Sequence, residues 1–187
     1  MKRLVFGVTG QPSSGKDTVA EHIESHGFLH IPTANLIREE MRKQGIEVDR
    51  AHTSAFVIEK RKERGPGYLA EEAVKRISGN AVVSGLRNVV EVEVLRKAFG
   101  KECILIAVEA PIETRYKWGT SRGRVGDSIS FEQFKHEEEV EKKGNANAQQ
   151  VDAVISMADK IILNDGTKEE LLQKVNDLIA TLDKPSL

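Results

Sequence analysis

One stretch decides the fold of this 187-residue chain: Gly10-Gln11-Pro12-Ser13-Ser14-Gly15-Lys16-Asp17-Thr18. It follows a short apolar run, residues 4–8, and leads into a helical pattern that begins at Thr18. Glycines at both ends let successive backbone N–H groups turn inward around an anion, and the helix N-terminus adds its partial positive charge. The pattern G-x-x-x-x-G-K between a strand and a helix therefore predicts a phosphate-binding loop (the P-loop, or Walker A motif).

The motif also predicts which ligands the loop binds, ATP and Mg²⁺. Lys16 is expected to reach the β- and γ-phosphates as a compact positive charge. The usual motif has Ser or Thr after the lysine as the metal ligand, whereas this chain has Asp17 and then Thr18. Asp17 either holds the metal through water while Thr18 contacts the α-phosphate, or only places a favourable carboxylate at the helix N-terminus. The residues expected to bind the donor nucleotide are Gly10, Ser13, Ser14, Gly15, Lys16, Asp17 and Thr18.

Apolar runs alternate with helical, charged segments along the rest of the chain. The runs are residues 4–8, 81–83, 103–108 and 160–163, with a weaker one at 26–31. Helical patterns occupy residues 18–25, 34–44, 53–64 and 68–77. Apolar runs without polar alternation are typical of parallel strands buried on both faces, and their alternation with helices predicts βαβ units. The prediction is an α/β fold in three layers, a five-stranded parallel sheet with helices on both faces.

The last part of the chain predicts a capped helix. Thr167 and Glu170 have the spacing of a capping box. After them, four apolar residues fall on one helical face and predict a buried stripe. They are Leu171, Val175, Leu178 and Leu182.

Composition and charge exclude several other classes of protein. With 39% hydrophobic and 30% charged residues, the chain has the composition of a globular protein rather than a disordered one. A net charge of −1 argues against a general nucleic-acid or membrane binder, and no apolar stretch approaches the about 18 residues of a membrane helix. Cys103 is the single cysteine, which excludes a disulfide framework. We expect a cytoplasmic monomer or homodimer with small-molecule nucleotide partners, and no membrane or nucleic-acid partner.

Nearly the whole chain resembles the nucleoside monophosphate kinase group of P-loop proteins, which includes adenylate kinase, dephospho-CoA kinase and small adenylate-kinase-like ATPases. Residues 31–38, IPTANLIR, are similar to the family segment after the second strand, whose arginine grips the phosphate of the acceptor. Residues 82–87, VVSGLR, are similar to the family's D-G-x-x-R segment at the end of the third strand. The resemblance therefore implies that Arg38 and Arg87 bind the acceptor phosphate.

Two further segments carry the resemblance. Arg122-Gly123-Arg124 is similar to the arginine-bearing lid that closes over the phosphates, and residues 158–166, ADKIILNDG, are similar to the last strand and the loop near adenine. Asn164 thereby joins the residues expected to bind the nucleotide. The resemblance implies one P-loop kinase domain over residues 1–187, with an acceptor-binding segment at about 33–79 and a lid at about 113–130. The catalytic residues that it implies are Lys16, Arg38, Arg87, Arg122 and Arg124.

Two positions depart from the family pattern and keep alternatives open. Ser84 stands where the family usually has an Asp that helps to organise Mg²⁺, and Asn35 replaces another common Asp. The expected function is ATP-dependent phosphoryl transfer to a nucleoside or deoxynucleoside monophosphate. A phosphate acceptor is already anionic and needs no strong base. The hydroxyl acceptor of dephospho-CoA kinase requires a base, and the D-x-D pattern that would supply it is missing at residues 33–35. The alternatives are dephospho-CoA kinase, or an ATP-binding regulatory protein with little kinase turnover.

Charged segments also have a plainer interpretation. Arg38 lies in a stretch whose i,i+4 spacing suits ion pairs on a solvated helix, and the arginines of the lid suit a solvated basic loop. The basic run at residues 60–64 and the acidic run at 137–139 are expected to be solvated helical faces. Binding of RNA by the basic run is a more distant alternative, which a steep salt dependence would reveal.

Overall fold

The computed structural model describes residues 3–121, 130–142 and 150–182. Within them, five strands form one parallel sheet in the order β2-β3-β1-β4-β5. The strands are β1 (Val5–Thr9), β2 (Leu29–Pro32), β3 (Ala81–Ser84), β4 (Cys103–Glu109) and β5 (Lys160–Leu163). This arrangement confirms the predicted α/β fold and its five-stranded parallel sheet. It also brings the P-loop, which follows the central strand β1, to the middle of the carboxyl edge.

Helices cover both faces of the sheet. They are α1 (Lys16–Ser25), α2 (Thr33–Lys43), α3 (Arg50–Arg64), α4 (Tyr68–Arg76), α5 (Val89–Phe99), α6 (Ile112–Ser121), α7 (Phe131–Lys142), α8 (Val151–Ser156) and α9 (Lys168–Leu182). A short 3₁₀ turn, Gly100–Glu102, precedes β4. The four predicted helices within residues 18–77 are confirmed, with bounds that agree to within three residues. In the ranges given above, no helix is long and apolar enough to cross a membrane.

Two hydrophobic cores lie on opposite faces of the sheet. One packs alternate residues of the strands, such as Val5 and Val83, against helices α2 to α5 and α8. The other packs the intervening residues, such as Phe6 and Val82, against α1 and α9. This alternation follows from the two-residue period of a strand. The strands are therefore covered on both sides, as their uninterrupted apolar runs predict.

Capping boxes set the start of two helices. At α9 the hydroxyl of Thr167 accepts from the Glu170 N–H at 3.2 Å, and the Thr167 N–H donates to Glu170 Oε2 at 2.8 Å. The predicted capping box is therefore confirmed, and the apolar stripe of α9 packs in the core. Helix α5 is not among the helices predicted from the sequence. It begins with a second box, in which the Asn88 side chain caps the helix and Glu91 reaches back to the Asn88 N–H at 3.1 Å.

A buried ion pair joins α3 to α5. Arg61 Nη2 lies 3.2 Å from Glu91 Oε1, and the two side chains are only 4% and 1% exposed. The expectation of a solvated basic run is therefore wrong at Arg61, because one residue of that helical turn faces inward. Glu91 Oε2 accepts the N–H groups of Arg87 and Asn88 at 2.8 and 3.1 Å. Burial raises the pKa of Glu91, while the Arg61 guanidinium and the two N–H donors oppose the rise.

We expect that replacing Glu91 by Ala will lower the free energy of unfolding by about 3–5 kcal/mol, because Arg61 loses its counter-charge in a buried site. Glu102→Ala is the matched control. Glu102 pairs with Arg3 at 2.8 Å, but both side chains are about one-third exposed, so the expected loss is about 1 kcal/mol or less. Urea unfolding of the two variants measures the difference. Equal losses would show that burial does not strengthen the Arg61–Glu91 pair.

Candidate functional site

The loop between β1 and α1 has the backbone geometry of a phosphate cradle. Gly10, Ser13 and Gly15 have positive φ angles of 151°, 61° and 93°. A Cβ at Gly10 would overlap the carbonyl oxygen of Val108, and one at Gly15 would overlap the side-chain amide of Asn164. Both glycines are therefore required, by conformation and by space. The short loop can turn its N–H groups inward only with this backbone.

The polar groups of the loop fit a polyphosphate ligand. The Ser14 hydroxyl is fully buried and has no hydrogen-bond partner within the described part of the chain. Lys16 opens α1 and is only 8% exposed, which is unusual for a lysine. A buried hydroxyl without a partner and a buried ammonium group at a helix N-terminus are both stabilised by an anion. The residues present therefore fit a bound nucleoside triphosphate.

Asn164 braces the loop from the end of β5. Its Nδ2 donates to the Ser14 carbonyl at 2.9 Å, and its backbone N–H donates to the Glu109 carbonyl at 2.7 Å. The Asn164 side chain is buried against the loop and therefore helps to fix the shape of the loop. The position near adenine that the family resemblance implies for Asn164 stays a prediction.

Arg115 braces the opposite side of the loop. Its Nη1 donates to the Pro12 carbonyl at 3.4 Å, and its Nε donates to the Ala110 carbonyl at 3.0 Å. The guanidinium forms a buried two-point pair with Glu138 of α7: Nη2 lies 3.0 Å from Oε2, and Nη1 contacts Oε1. The expectation of a solvated acidic face is wrong at Glu138, since Arg115 draws this carboxylate inward. Sequence reasoning did not include either residue in the expected site.

The remaining loop residues lie on the first turn of α1. Asp17 is exposed and Thr18 is half-buried, so both are accessible at the mouth of the cradle. The sequence-level alternatives for Asp17, a metal ligand through water or a helix-terminal charge, are both compatible with this position.

The two predicted acceptor-binding arginines lie along the same edge of the sheet. Arg38 is exposed on α2, and its Nη1 donates to Asn35 Oδ1 at 3.0 Å. Arg87 is half-buried in the turn after β3, which the Gly85 N–H ties to the Val8 carbonyl at 3.0 Å. Because the carboxyl ends of parallel strands meet at one edge, both arginines follow strands that end at the edge that carries the P-loop. Arg122 and Arg124 lie outside the described residues, as do residues 122–129 of the predicted lid.

Sequence reasoning singled out Ser84 at this edge but missed its two hydrogen-bonded partners, His30 and Glu24. The Ser84 hydroxyl at the end of β3 forms a 2.9 Å hydrogen bond with His30 Nε2, and His30 Nδ1 lies 3.2 Å from Glu24 Oε2. The three residues come from β3, β2 and α1, at separations that no local motif connects. Pairing of β2 with β3 in the sheet brings Ser84 and His30 together.

Comparisons with known proteins place the chain in a family. The AAA-domain family matches residues 9–135. A UPF0200 protein of Thermococcus gammatolerans is 34% identical over 183 residues, 94% of each chain. A second UPF0200 protein, from Pyrobaculum aerophilum, is 34% identical over 182 residues, 95% of this chain and 98% of the relative. The chain belongs to the AAA-domain family and to the UPF0200 proteins.

Solved structures identify the fold. A shikimate kinase from Bacteroides thetaiotaomicron aligns with a TM-score of 0.62 at 12% identity, over 95% of this chain and 98% of that chain. A gluconokinase from Sinorhizobium meliloti aligns with a TM-score of 0.55 at 14% identity, over 97% and 94% of the two chains. These likenesses show a P-loop kinase fold. The resemblance to P-loop kinases deduced from the sequence is thereby confirmed at the level of fold.

We expect Asn164→Ala to weaken ATP binding about fivefold, because the Ser14 carbonyl loses the donor that fixes the loop and one hydrogen bond contributes about 1 kcal/mol. Isothermal titration calorimetry measures the change. Asn176→Ala is the control, since Asn176 of α9 bonds His22 at 2.7 Å on a part of α1 outside the loop. Unchanged affinity in Asn164→Ala would show that the loop keeps its shape without this brace.

Proposed function

We propose that this protein is an ATP-dependent phosphotransferase that acts on a nucleoside or deoxynucleoside monophosphate. The observation that carries the proposal is the P-loop with its buried Lys16 and its unpartnered Ser14 hydroxyl at the head of α1. Phosphoryl transfer needs positioning and charge neutralisation more than covalent assistance. A rigid cradle of amides with one buried ammonium group supplies both.

The donor side of the proposed site is formed by the loop itself. Its N–H groups and Lys16 would hold the β- and γ-phosphates, and the first turn of α1, with Asp17 and Thr18, would face the metal. Mg²⁺, when bound, neutralises charge on the phosphate oxygens. Asn164 and Arg115 act through the loop, because both donate to its carbonyl groups and keep its N–H groups turned towards the ligand.

The acceptor side is proposed from the two arginines on the neighbouring strand connections. Arg38 lies on α2, which follows β2, and Arg87 lies in the turn after β3, so both follow strands that end at the edge that carries the P-loop. A guanidinium binds a phosphate group through two parallel hydrogen bonds, which suits recognition of a monophosphate. Helices α2, α3 and α4 occupy the segment at residues 33–79 that would enclose this acceptor.

The lid is also part of the proposal. Arg122 and Arg124 would neutralise charge on the transferring phosphoryl group, as the family resemblance implies. The described start of the lid, α6, lies against the loop: a Cβ at Gly119 would be 3.2 Å from Ser13 Oγ. Gly119 of α6 therefore lies beside the loop that would hold the phosphates.

A mass-spectrometric transfer screen tests the function. Protein, ATP and Mg²⁺ are incubated with each ribo- and deoxynucleoside monophosphate and, separately, with dephospho-CoA. We expect turnover of one or a few monophosphates. Lys16→Ala should reduce it at least about 100-fold, because the charge on the transferring group loses its buried partner. Lys97→Ala, on the exposed surface of α5, is the matched control and should leave turnover unchanged.

Each other outcome of the screen selects an alternative. Turnover of dephospho-CoA alone would identify a hydroxyl acceptor and overturn the monophosphate assignment. Binding of ATP without any transfer would favour the regulatory protein, in agreement with the departures at Ser84 and Asn35. Full turnover by Lys16→Ala would refute the proposed site.

A further inference from the structure

The turn after β3 is tied to the start of the P-loop by a buried side chain. The paired residues of β1 and β3 end one position before Thr9. Beyond this last pair, the Thr9 hydroxyl donates to the Leu86 carbonyl at 2.8 Å, and both residues are at most 1% exposed. Thr9 immediately precedes Gly10, the first residue of the loop. The Arg87 turn (residues 85–88) therefore has a direct connection to the P-loop.

Helix α8 makes a second connection between the same two parts of the chain. The Gln150 N–H, at the start of this helix, donates to the Arg87 carbonyl at 2.7 Å. Two residues later, Asp152 Oδ1 accepts from Nε2 of Gln11, the second residue of the P-loop. Val154 is fully buried and packs α8 against the core. The helix thus bridges the Arg87 turn and the P-loop from a fixed position.

These connections act on the backbone of the Arg87 turn. Thr9 donates to the Leu86 carbonyl, and Gln150 donates to the carbonyl of the next residue. Glu91 accepts the N–H groups of the last two residues of the turn at 2.8 and 3.1 Å. The turn can therefore shift only if several hydrogen bonds break together. Such a hold matters in a transfer site, because a misplacement of about 1 Å can cost about 100-fold in rate.

We propose that Thr9 and Asp152 are positioning residues that hold the Arg87 turn at a fixed distance from the P-loop, so that the acceptor phosphate is aligned with the γ-phosphate of ATP. The inference rests on the proposed function, which assigns the loop to the donor and Arg87 to the acceptor. In that reaction an oxygen of the acceptor phosphate forms a bond to the γ-phosphorus of ATP. The bond from this phosphorus to the β–γ bridging oxygen breaks, and ADP leaves. Thr9 and Asp152 act on the distance between the two sites rather than on the reacting atoms.

Steady-state kinetics of Thr9 variants test the first connection. Rates are measured with MgATP and the nucleoside monophosphate that turns over fastest in the transfer screen. Thr9→Val keeps the shape of the side chain without its hydroxyl, and we expect kcat to fall about tenfold because the turn loses its alignment. The KM values of both substrates should change less than about twofold, since each site keeps its own contacts. Thr9→Ser retains the hydroxyl donor and should keep kcat within about threefold of the wild type.

Variants of Asp152 test the second connection. Asp152→Ala removes the acceptor of the Gln11 amide and should lower kcat about fivefold, again with little change in KM. Asp152→Asn keeps an oxygen that accepts from Gln11, so its kcat should stay close to that of the wild type. Because asparagine carries no charge, this variant separates the hydrogen bond of Asp152 from its negative charge.

Helix α9 offers a matched control for each connection. The Thr181 hydroxyl donates to the Asp177 carbonyl at 2.8 Å, and Gln173 Nε2 donates to Asp177 Oδ1 at 2.9 Å. Thr181→Val and Asp177→Ala therefore remove the same kinds of hydrogen bond outside the proposed site, and both should leave kcat unchanged. Thermal unfolding and the stoichiometry of ATP binding check that every variant is folded, so that kcat refers to folded molecules.

The outcomes separate this inference from the proposed function. Wild-type kcat in both Thr9→Val and Asp152→Ala would overturn the inference alone. A fall in kcat for Thr9→Ser or Asp152→Asn as large as for Thr9→Val or Asp152→Ala would also overturn it, since the hydrogen bonds would then not be the cause. Weaker binding of ATP by Thr9→Val at an unchanged kcat would place the role of Thr9 within the P-loop and contradict the inference. Absence of transfer to any monophosphate by the wild-type protein would refute the proposed function, and the inference with it.

Discussion

Backbone N–H groups that converge on one point repel one another, and this constraint organises the structure around the P-loop. Such a loop keeps its shape only when its outward-facing carbonyls are held from behind. The Ser14 carbonyl is held by Asn164 after β5, and the Pro12 carbonyl by Arg115 of α6. Gly10 fits closely against the Val108 carbonyl of β4. Elements far apart in sequence thus support the same loop, and the order of the strands brings them to the same edge of the sheet.

Buried ion pairs extend this frame on both sides of the loop. Arg115 and Glu138 join α6 to α7 beside the P-loop, and Arg61 and Glu91 join α3 to α5 beside the turn that carries Arg87. A buried pair adds little net stability compared with apolar side chains, but it tolerates only one geometry. Glu91 also accepts two N–H groups of the turn that carries Arg87. The position of this turn is therefore coupled to that of α3.

Local patterns in the sequence predict much of the fold, because the forces behind them are local. The glycine spacing predicts the loop, apolar runs predict the five strands, and the capping box at Thr167 predicts the start of α9. Charge runs mislead at Arg61 and Glu138, since their partners lie 30 and 23 residues away. Ser84 and His30 are 54 residues apart and meet only through the pairing of β2 with β3. Such contacts require the topology, which composition and spacing do not encode.

The Glu24–His30–Ser84 chain connects the solvated surface of α1 to the buried end of β3. An ionised carboxylate at a position that is 3% exposed bears a large desolvation penalty unless a cation is present. In this chain the formal charge lies on Glu24 instead, where the side chain is 54% exposed and water solvates it. The imidazole and the hydroxyl extend hydrogen bonds inward from that charge, so the end of β3 keeps a polar group without a buried carboxylate.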